Sequence, residues 1–110
     1  MLARLRLRRG IDFKRVYASR RVRHGKLMAV HWQDNQLGHP RVGFSISTRV
    51  GGSVQRSRLK RRLRELTRPV LAGSDSGVDL VVVARPAAGA AAFAELAAEF
   101  KALSAQVLGL

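Results

Sequence analysis

Between Ser53 and Pro69 the chain reads SVQRSRLKRRLRELTRP, placing seven basic side chains (Arg56, Arg58, Lys60, Arg61, Arg62, Arg64 and Arg68) against a single acid, Glu65. A solvated helix face mixes charge signs, because like charges a turn apart repel; a one-signed run suits the neutralisation of phosphates instead. The free amides of a helix start attract anions too, and Arg56 and Arg58 lie near that end. Acid/base chemistry has no comparable support. The seven Asp and Glu residues are scattered, none paired on one element for proton transfer, and no glycine-rich phosphate loop of the nucleotide-hydrolase type is present. His24, His31 and His39 stand seven and eight residues apart, without cysteine or a carboxylate cluster beside them. No residue reads as catalytic and none as a metal ligand.

A second set of residues lies upstream. In GIDFKRVYASR, Phe13 and Tyr17 are four residues apart and share one side of a helix that also carries Lys14, Arg15, Arg20 and Arg21. Rings beside cations are what unstacked nucleotides stack on. The competing reading places both rings in the core, a role for which Ile11 and Val16 are the better candidates. In RVGFSIST, Val42, Phe44 and Ile46 alternate with Gly43, Ser45 and Ser47, the pattern of a half-buried strand whose polar face a ligand backbone can approach.

The elements that must position these residues follow from periodicity. Val54, Leu59, Leu63, Leu66 and Val70 recur at helical spacing, so the basic stretch is an amphipathic helix; Arg61, Arg64 and Arg68 point away from its apolar stripe, and Arg56, Lys60 and Arg62 border it. Ser53 is the expected N-cap, and Pro69 should end or kink the helix. Residues 1–9 alternate Leu with Arg and read as an extended or poorly ordered basic arm. Residues 22–33 suit one strand, DNQLGHP a turn, and RVGFSIST the antiparallel partner of that strand. VDLVVVAR is an apolar run typical of a strand buried on both sides, and hence central. Ala91 to Leu108 forms an Ala-rich helix covering the core through Phe93, Leu96, Phe100, Leu103 and Val107. Trp32 reads as core or hairpin packing.

The whole is one domain's worth of chain, 110 residues, arranged as an α+β sandwich of helices on one small sheet. Its formal net charge is +14, unevenly spread: residues 1–68 contribute +16 and residues 69–110 contribute −2. Solubility needs only a few units, so the basic part binds a polyanion and the remainder is scaffold. The absence of cysteine excludes a disulfide framework and fits the cytoplasm; no segment reads as a secretory signal or a transmembrane helix. These residues support an RNA-binding domain, with a ribosomal or other structural RNA-binding protein and a basic DNA-binding protein as alternatives.

The segment RVGFSISTRVGGSVQRSRLKRRLRE resembles the protein component of bacterial ribonuclease P, whose typical pattern is RVGxxVSKKVGNAVxRNRxKRxxRE. Arg41-Val42-Gly43, Ser47, Val50-Gly51, Val54, Arg56, Arg58, Lys60-Arg61 and Arg64-Glu65 match it, and the likeness extends to Arg6-Leu7, Asp12-Phe13, Val16-Tyr17 and Ala84-Arg85-Pro86. Gly51-Gly52-Ser53 replaces the family's Gly-Asn-Ala, Ser57 replaces the Asn of its Arg-Asn-Arg signature, and Thr48 stands where Lys is usual. The resemblance implies a small basic subunit that helps a catalytic RNA remove the 5′ leader of precursor tRNA, with no membrane and no small-molecule substrate involved. The RNA supplies the chemistry through Mg2+ that it mainly holds itself. Arg56, Ser57, Arg58, Lys60, Arg61, Arg64 and Arg68 would then contact ribonuclease P RNA, and Phe13, Lys14, Tyr17, Arg41, Ser45 and Ser47 the single-stranded leader. The implied fold is an α/β sandwich with a small mixed sheet and a left-handed β-α-β crossover, of the type shared with the second domain of a small-subunit ribosomal protein.

Overall fold

A seven-residue run that is apolar at six positions has to be covered on both faces and paired on both edges. In the computed structural model, which describes residues 3–109, that run is the strand Val78–Ala84, and it lies inside the sheet. Numbered in chain order, the elements are α1 (Gly10–Ala18), β1 (Val22–His24), β2 (Met28–Asp34), β3 (Arg41–Ile46), α2 (Ser53–Ala72), β4 (Val78–Ala84) and α3 (Phe93–Ser104). Short 3₁₀ turns occupy Ala3–Leu5, Thr48–Val50 and Pro86–Ala90. The sheet order is β1-β2-β4-β3; β4 runs antiparallel to β2 and parallel to β3.

That order corrects the expected hairpin between β2 and β3. The two are not neighbours, because β4 needs a partner on each side and takes both. Helix α2 is thus the crossover joining the adjacent parallel strands β3 and β4. The single strand expected over residues 22–33 is two strands, folded back at Gly25 to Leu27, with Val22 opposite His31 and His24 opposite Ala29. The reason lies far along the chain. Glu99 of α3 accepts hydrogen bonds from the Lys26 and Leu27 amides, at 2.7 and 2.8 Å, and pins the bend.

Alternation along β4 divides the core in two. Val78, Leu80, Val82 and Ala84 face α2 and α3 and join Leu59, Leu63, Leu66, Leu71, Leu96 and Phe100 in the larger cluster. Val81, with half-buried Val83, faces α1 and packs with Leu7, Val16 and Phe13. The helices therefore lie on both faces of the sheet. The buried stripe of α2 is Leu59, Leu63, Leu66, Thr67 and Leu71; Val70 is only partly buried, and Val54, which lies about 140° round the helix from Leu59, is 76% exposed.

Four further expectations are corrected. Residues 3–9 are not a loose arm: Leu5 and Leu7 are buried, Arg6 bridges Val42 in parallel register, and the Leu7 amide donates to the Val42 carbonyl at 2.8 Å. The Leu/Arg alternation is thus that of a short edge segment, apolar side inward; Met1 and Leu2 lie outside the described residues. Ser53 is the first residue of α2 rather than its cap, a position filled by Gly52 without a side-chain hydrogen bond. Pro69 does not end α2. A proline removes one backbone bond and crowds the carbonyl four residues earlier, here that of exposed Glu65, which water can satisfy, while fully buried Leu71 anchors the last turn before Gly73. The C-terminal helix is shorter than expected: it starts at Phe93, half exposed, and the Glu95 carboxylate accepts from the Ala92 amide at 3.1 Å.

Candidate nucleic-acid interface

Residues opposite one another in a ladder point to the same side of a sheet. The face beneath α1 is therefore built in rows across β3, β4 and β2: Arg41, Asp79 and Gln33; then Gly43, Val81 and His31; then Ser45, Val83 and Ala29. Helix α1 lies over the first two rows. Val16 is fully buried against Val81, and the ring of Phe13 rests on Gly43 so closely that a Cβ there would lie 2.4 Å from the tip of the ring. Phe13 is half-buried. Tyr17 is 38% exposed and meets His31 edge to face, with ring centroids 4.9 Å apart. Phe13, Tyr17, Arg41 and Ser45 do come together on this side. Lys14 is exposed on the outer side of α1, and Ile11, expected in the core, is 65% exposed. Ser47 lies past the end of β3, its hydroxyl accepting from the Arg49 amide at 3.3 Å.

His31 was not among the residues expected here. It faces Tyr17 only because the bend at Gly25 sets the register of β2, which sequence alone does not fix. Burial lowers its pKa from the ordinary histidine value, and neighbouring His24 adds to the effect.

Asp79 was missed as well. It is the one fully buried carboxylate among the described residues, and every lone-pair direction is used: Arg41 Nε and Asn35 Nδ2 donate to Oδ1 at 2.9 and 2.8 Å, while Arg41 Nη2, at 2.8 Å, and Arg15 Nη2 donate to Oδ2. Asp12 of α1 is 3.9 Å from the same Arg41 nitrogen. The hydrogen bond to Asp79 raises the pKa of Arg41 above the ordinary arginine value. Arg41 thus turns its Nε and Nη2 donors into the protein, and with Asp12 beside it and Arg15 on the same carboxylate it locks α1 to the sheet. The signal was present in the sequence: a carboxylate inside VDLVVVA cannot be buried without cationic partners.

The opposite side of the molecule carries α2. Ser53, Val54, Ser57, Arg58 and Arg61 line one open groove on it, and Arg58 and Arg62 turn toward Gly89. Lys60 and Arg64 turn instead toward the β3 edge, where with Arg6, Leu7, Arg8, Phe13, Val42, Gly43 and Phe44 they line a recess of about 210 Å³. Arg64, expected to point away from the packed side, is half-buried there. Arg68 is exposed; Arg56 is half-buried, with no hydrogen-bond partner for its Nε. Among the described residues, no three His, Asp or Glu side chains converge on a point where a metal could sit.

Residues 1–108 match the sequence profile of the Ribonuclease P family. The chain belongs to that family. The ribonuclease P protein component of Acidothermus cellulolyticus is 44% identical over 103 residues, covering 92% of this chain and 86% of the relative. That of Streptomyces griseus is 38% identical over 113 residues, covering 94% and 92%. Solved ribonuclease P proteins share the fold: that of Staphylococcus aureus superposes with a TM-score of 0.84 over 94% of both chains at 23% identity, and that of Thermotoga maritima with 0.80 over 89% and 93% at 24%. As a ribonuclease P protein the chain is a subunit of a tRNA 5′-processing enzyme whose partner is RNA, and the ribosomal and DNA-binding alternatives fall away. No described helix is long and apolar enough to cross a membrane.

Proposed function

We propose that this ribonuclease P protein uses its two sides for two RNA segments. Helix α2, through Arg56, Ser57, Arg58, Lys60, Arg61, Arg64 and Arg68, holds phosphates of ribonuclease P RNA. The α1 side, through Phe13, Tyr17, Lys14, Ser45 and Ser47, receives the single-stranded 5′ leader of precursor tRNA. Arg41 serves that side chiefly by being locked to Asp79, which fixes the height of α1 above the sheet. The observation that carries the reading is the placement of a strongly basic helix and an aromatic-bearing helix on opposite faces of one sheet. Stacking suits a leader of varied sequence, because every base offers a π-face and ring contacts read no edges.

Mg2+ belongs in this scheme to the RNA. The protein's own donors do not fit it: the described acids and histidines do not converge, and Asp79 is saturated by arginines and an amide. Held by the RNA, Mg2+ would supply the activated water for hydrolysis. The chain's residues bind and orient. The reading also places the protein in the cytoplasm, where its RNA partners are made.

The test compares precursor and mature tRNA binding to the reconstituted holoenzyme. Tyr17→Ala, whose ring is the more exposed, and the double variant with Phe13→Ala should each weaken precursor binding by about 1–3 kcal/mol per lost base contact, leaving mature tRNA nearly unaffected. Equal weakening for both ligands would take the rings out of the leader cleft, and a collapse of thermal stability in Tyr17→Ala would assign that ring to the core.

A further inference from the structure

We propose that Arg20 is a phosphate-contacting residue for the single-stranded leader, held where α1 ends in a backbone conformation that works against the fold. The inference rests on the leader reading above. Three residues, Ser19 to Arg21, must reverse the chain between α1 and β1. The reversal is fixed at several points: the Arg20 amide donates to the Tyr17 carbonyl at 3.2 Å, the Ser19 hydroxyl lies 2.6 and 2.7 Å from the Val16 and Trp32 carbonyls and shares its one hydrogen between them, and the Trp32 amide donates to the Arg21 carbonyl at 3.2 Å. Arg20 closes it with φ +58°, in the left-handed region that follows many helices and that glycine or asparagine usually fills. A side chain with a Cβ is disfavoured there. The position thus carries an arginine where the backbone asks for glycine.

Fold-internal reasons for an arginine at this point are absent. Its neighbours each have an internal partner: Arg15 bonds Asp79 and the Asp34 carbonyl, Arg21 lies 3.7 Å from the Asp34 carboxylate, and Arg23 bonds Gln106 and sits 5.9 Å from the Trp32 ring centroid. Arg20 is exposed, and among the described residues its guanidinium has no acceptor. A cation favours a helix C-terminus, but Arg21, with no positive φ, already lies there. What remains is location. Arg20 is three residues beyond Tyr17, on the exit of the helix whose ring meets His31, and its exposed guanidinium is the cation of this turn left free to meet the phosphate of a base stacked on Tyr17.

The experiment uses holoenzyme reconstituted with Arg20→Gln, Arg20→Lys or Arg20→Gly, and measures the affinities of precursor and mature tRNA across a salt series. Arg20→Gln and Arg20→Gly should lose about tenfold in affinity for precursor only, the scale of one charged hydrogen bond. The slope of log affinity against log salt should flatten by roughly 0.7, the value for one single-strand phosphate. Arg20→Lys should keep the slope. In the free protein Arg20→Gly should melt higher than Arg20→Gln, since the two lack the same charge and the strain a Cβ meets at this φ outweighs the added unfolded-state entropy of glycine. A leader-dependent affinity that Arg20→Gln leaves unchanged, or an equal loss for mature tRNA, would overturn the assignment to Arg20 while leaving the leader cleft standing. A wild-type holoenzyme that binds both ligands alike would overturn the cleft reading and this proposal with it.

Discussion

Asp79→Asn tests whether the buried carboxylate holds α1 to the sheet. Asparagine keeps one oxygen, which can still accept from Arg41 Nε and Asn35, but puts an NH2 group where Oδ2 received Arg41 and Arg15. Two charge-assisted hydrogen bonds are lost, each worth about 1.5–3 kcal/mol, and donors are left facing donors. Both arginines can turn toward water, their side chains being 39% and 23% exposed, so the full cost of stranding a buried charge does not apply. The expected loss is about 3 kcal/mol, on the order of 12 °C in Tm for a domain of this size. Urea unfolding followed by circular dichroism at neutral pH reads it directly, as a lower midpoint with unchanged slope. Combined with Arg15→Met, the loss should be clearly less than additive, because the two substitutions remove one shared interaction, the one that ties α1 to β4. A loss below about 1 kcal/mol, or strict additivity, would refute the clamp.

Two other outcomes follow from the same side of the sheet. Gly43→Ala would place a Cβ 2.4 Å from the ring tip of Phe13, so the ring has to tilt off the sheet; the expected cost is about 1–2 kcal/mol of stability together with a leader-specific loss of affinity, measured by melting and by the precursor–mature comparison. His31 has a folded-state pKa below its unfolded value of about 6.5, so between the two the unfolded chain binds more protons. Its contribution to stability is present above about pH 6.5 and lost as pH falls toward the folded pKa; the urea midpoint of the wild type should drop more steeply from pH 7.5 to 5.5 than that of His31→Gln, and parallel curves would refute the assignment.

The legible parts of the fold were those set by local period. The stripe of α2, the burial of β4 and the cover given by Leu96 and Phe100 all follow from spacing and apolarity. What was not legible depended on distant partners. Nothing near Gly25 announces that Glu99, some 70 residues later, will bend the strand there. The β2–β3 hairpin was the shorter connection, yet it lost to β4, whose apolar character demands two neighbours. Two signals could have been used. Leu5 and Leu7 sit two apart with an arginine between them, the period of an edge segment rather than of a loose arm. Asp79 interrupts an apolar strand, and such an acid calls for the cations that Arg15 and Arg41 supply.

The two RNA-facing sides are not mechanically independent. Phe13, from α1, and Lys60 and Arg64, from α2, line one recess at the β3 edge, floored by Gly43 and Val42 and closed by Arg6 to Arg8. The N-terminal segment that completes it is held by the Leu7–Val42 hydrogen bond and by Leu5, which reaches the larger core, and Leu7, which reaches the smaller. A substitution that tilts Phe13 therefore changes the wall against which Lys60 and Arg64 are placed. Residues sharing a recess fall within the range where effects stop adding. A loss of ribonuclease P RNA affinity in a Phe13 variant is consequently no evidence that the ring touches that RNA; only the Phe13 and Lys60 single and double variants, taken as a cycle, separate contact from displacement.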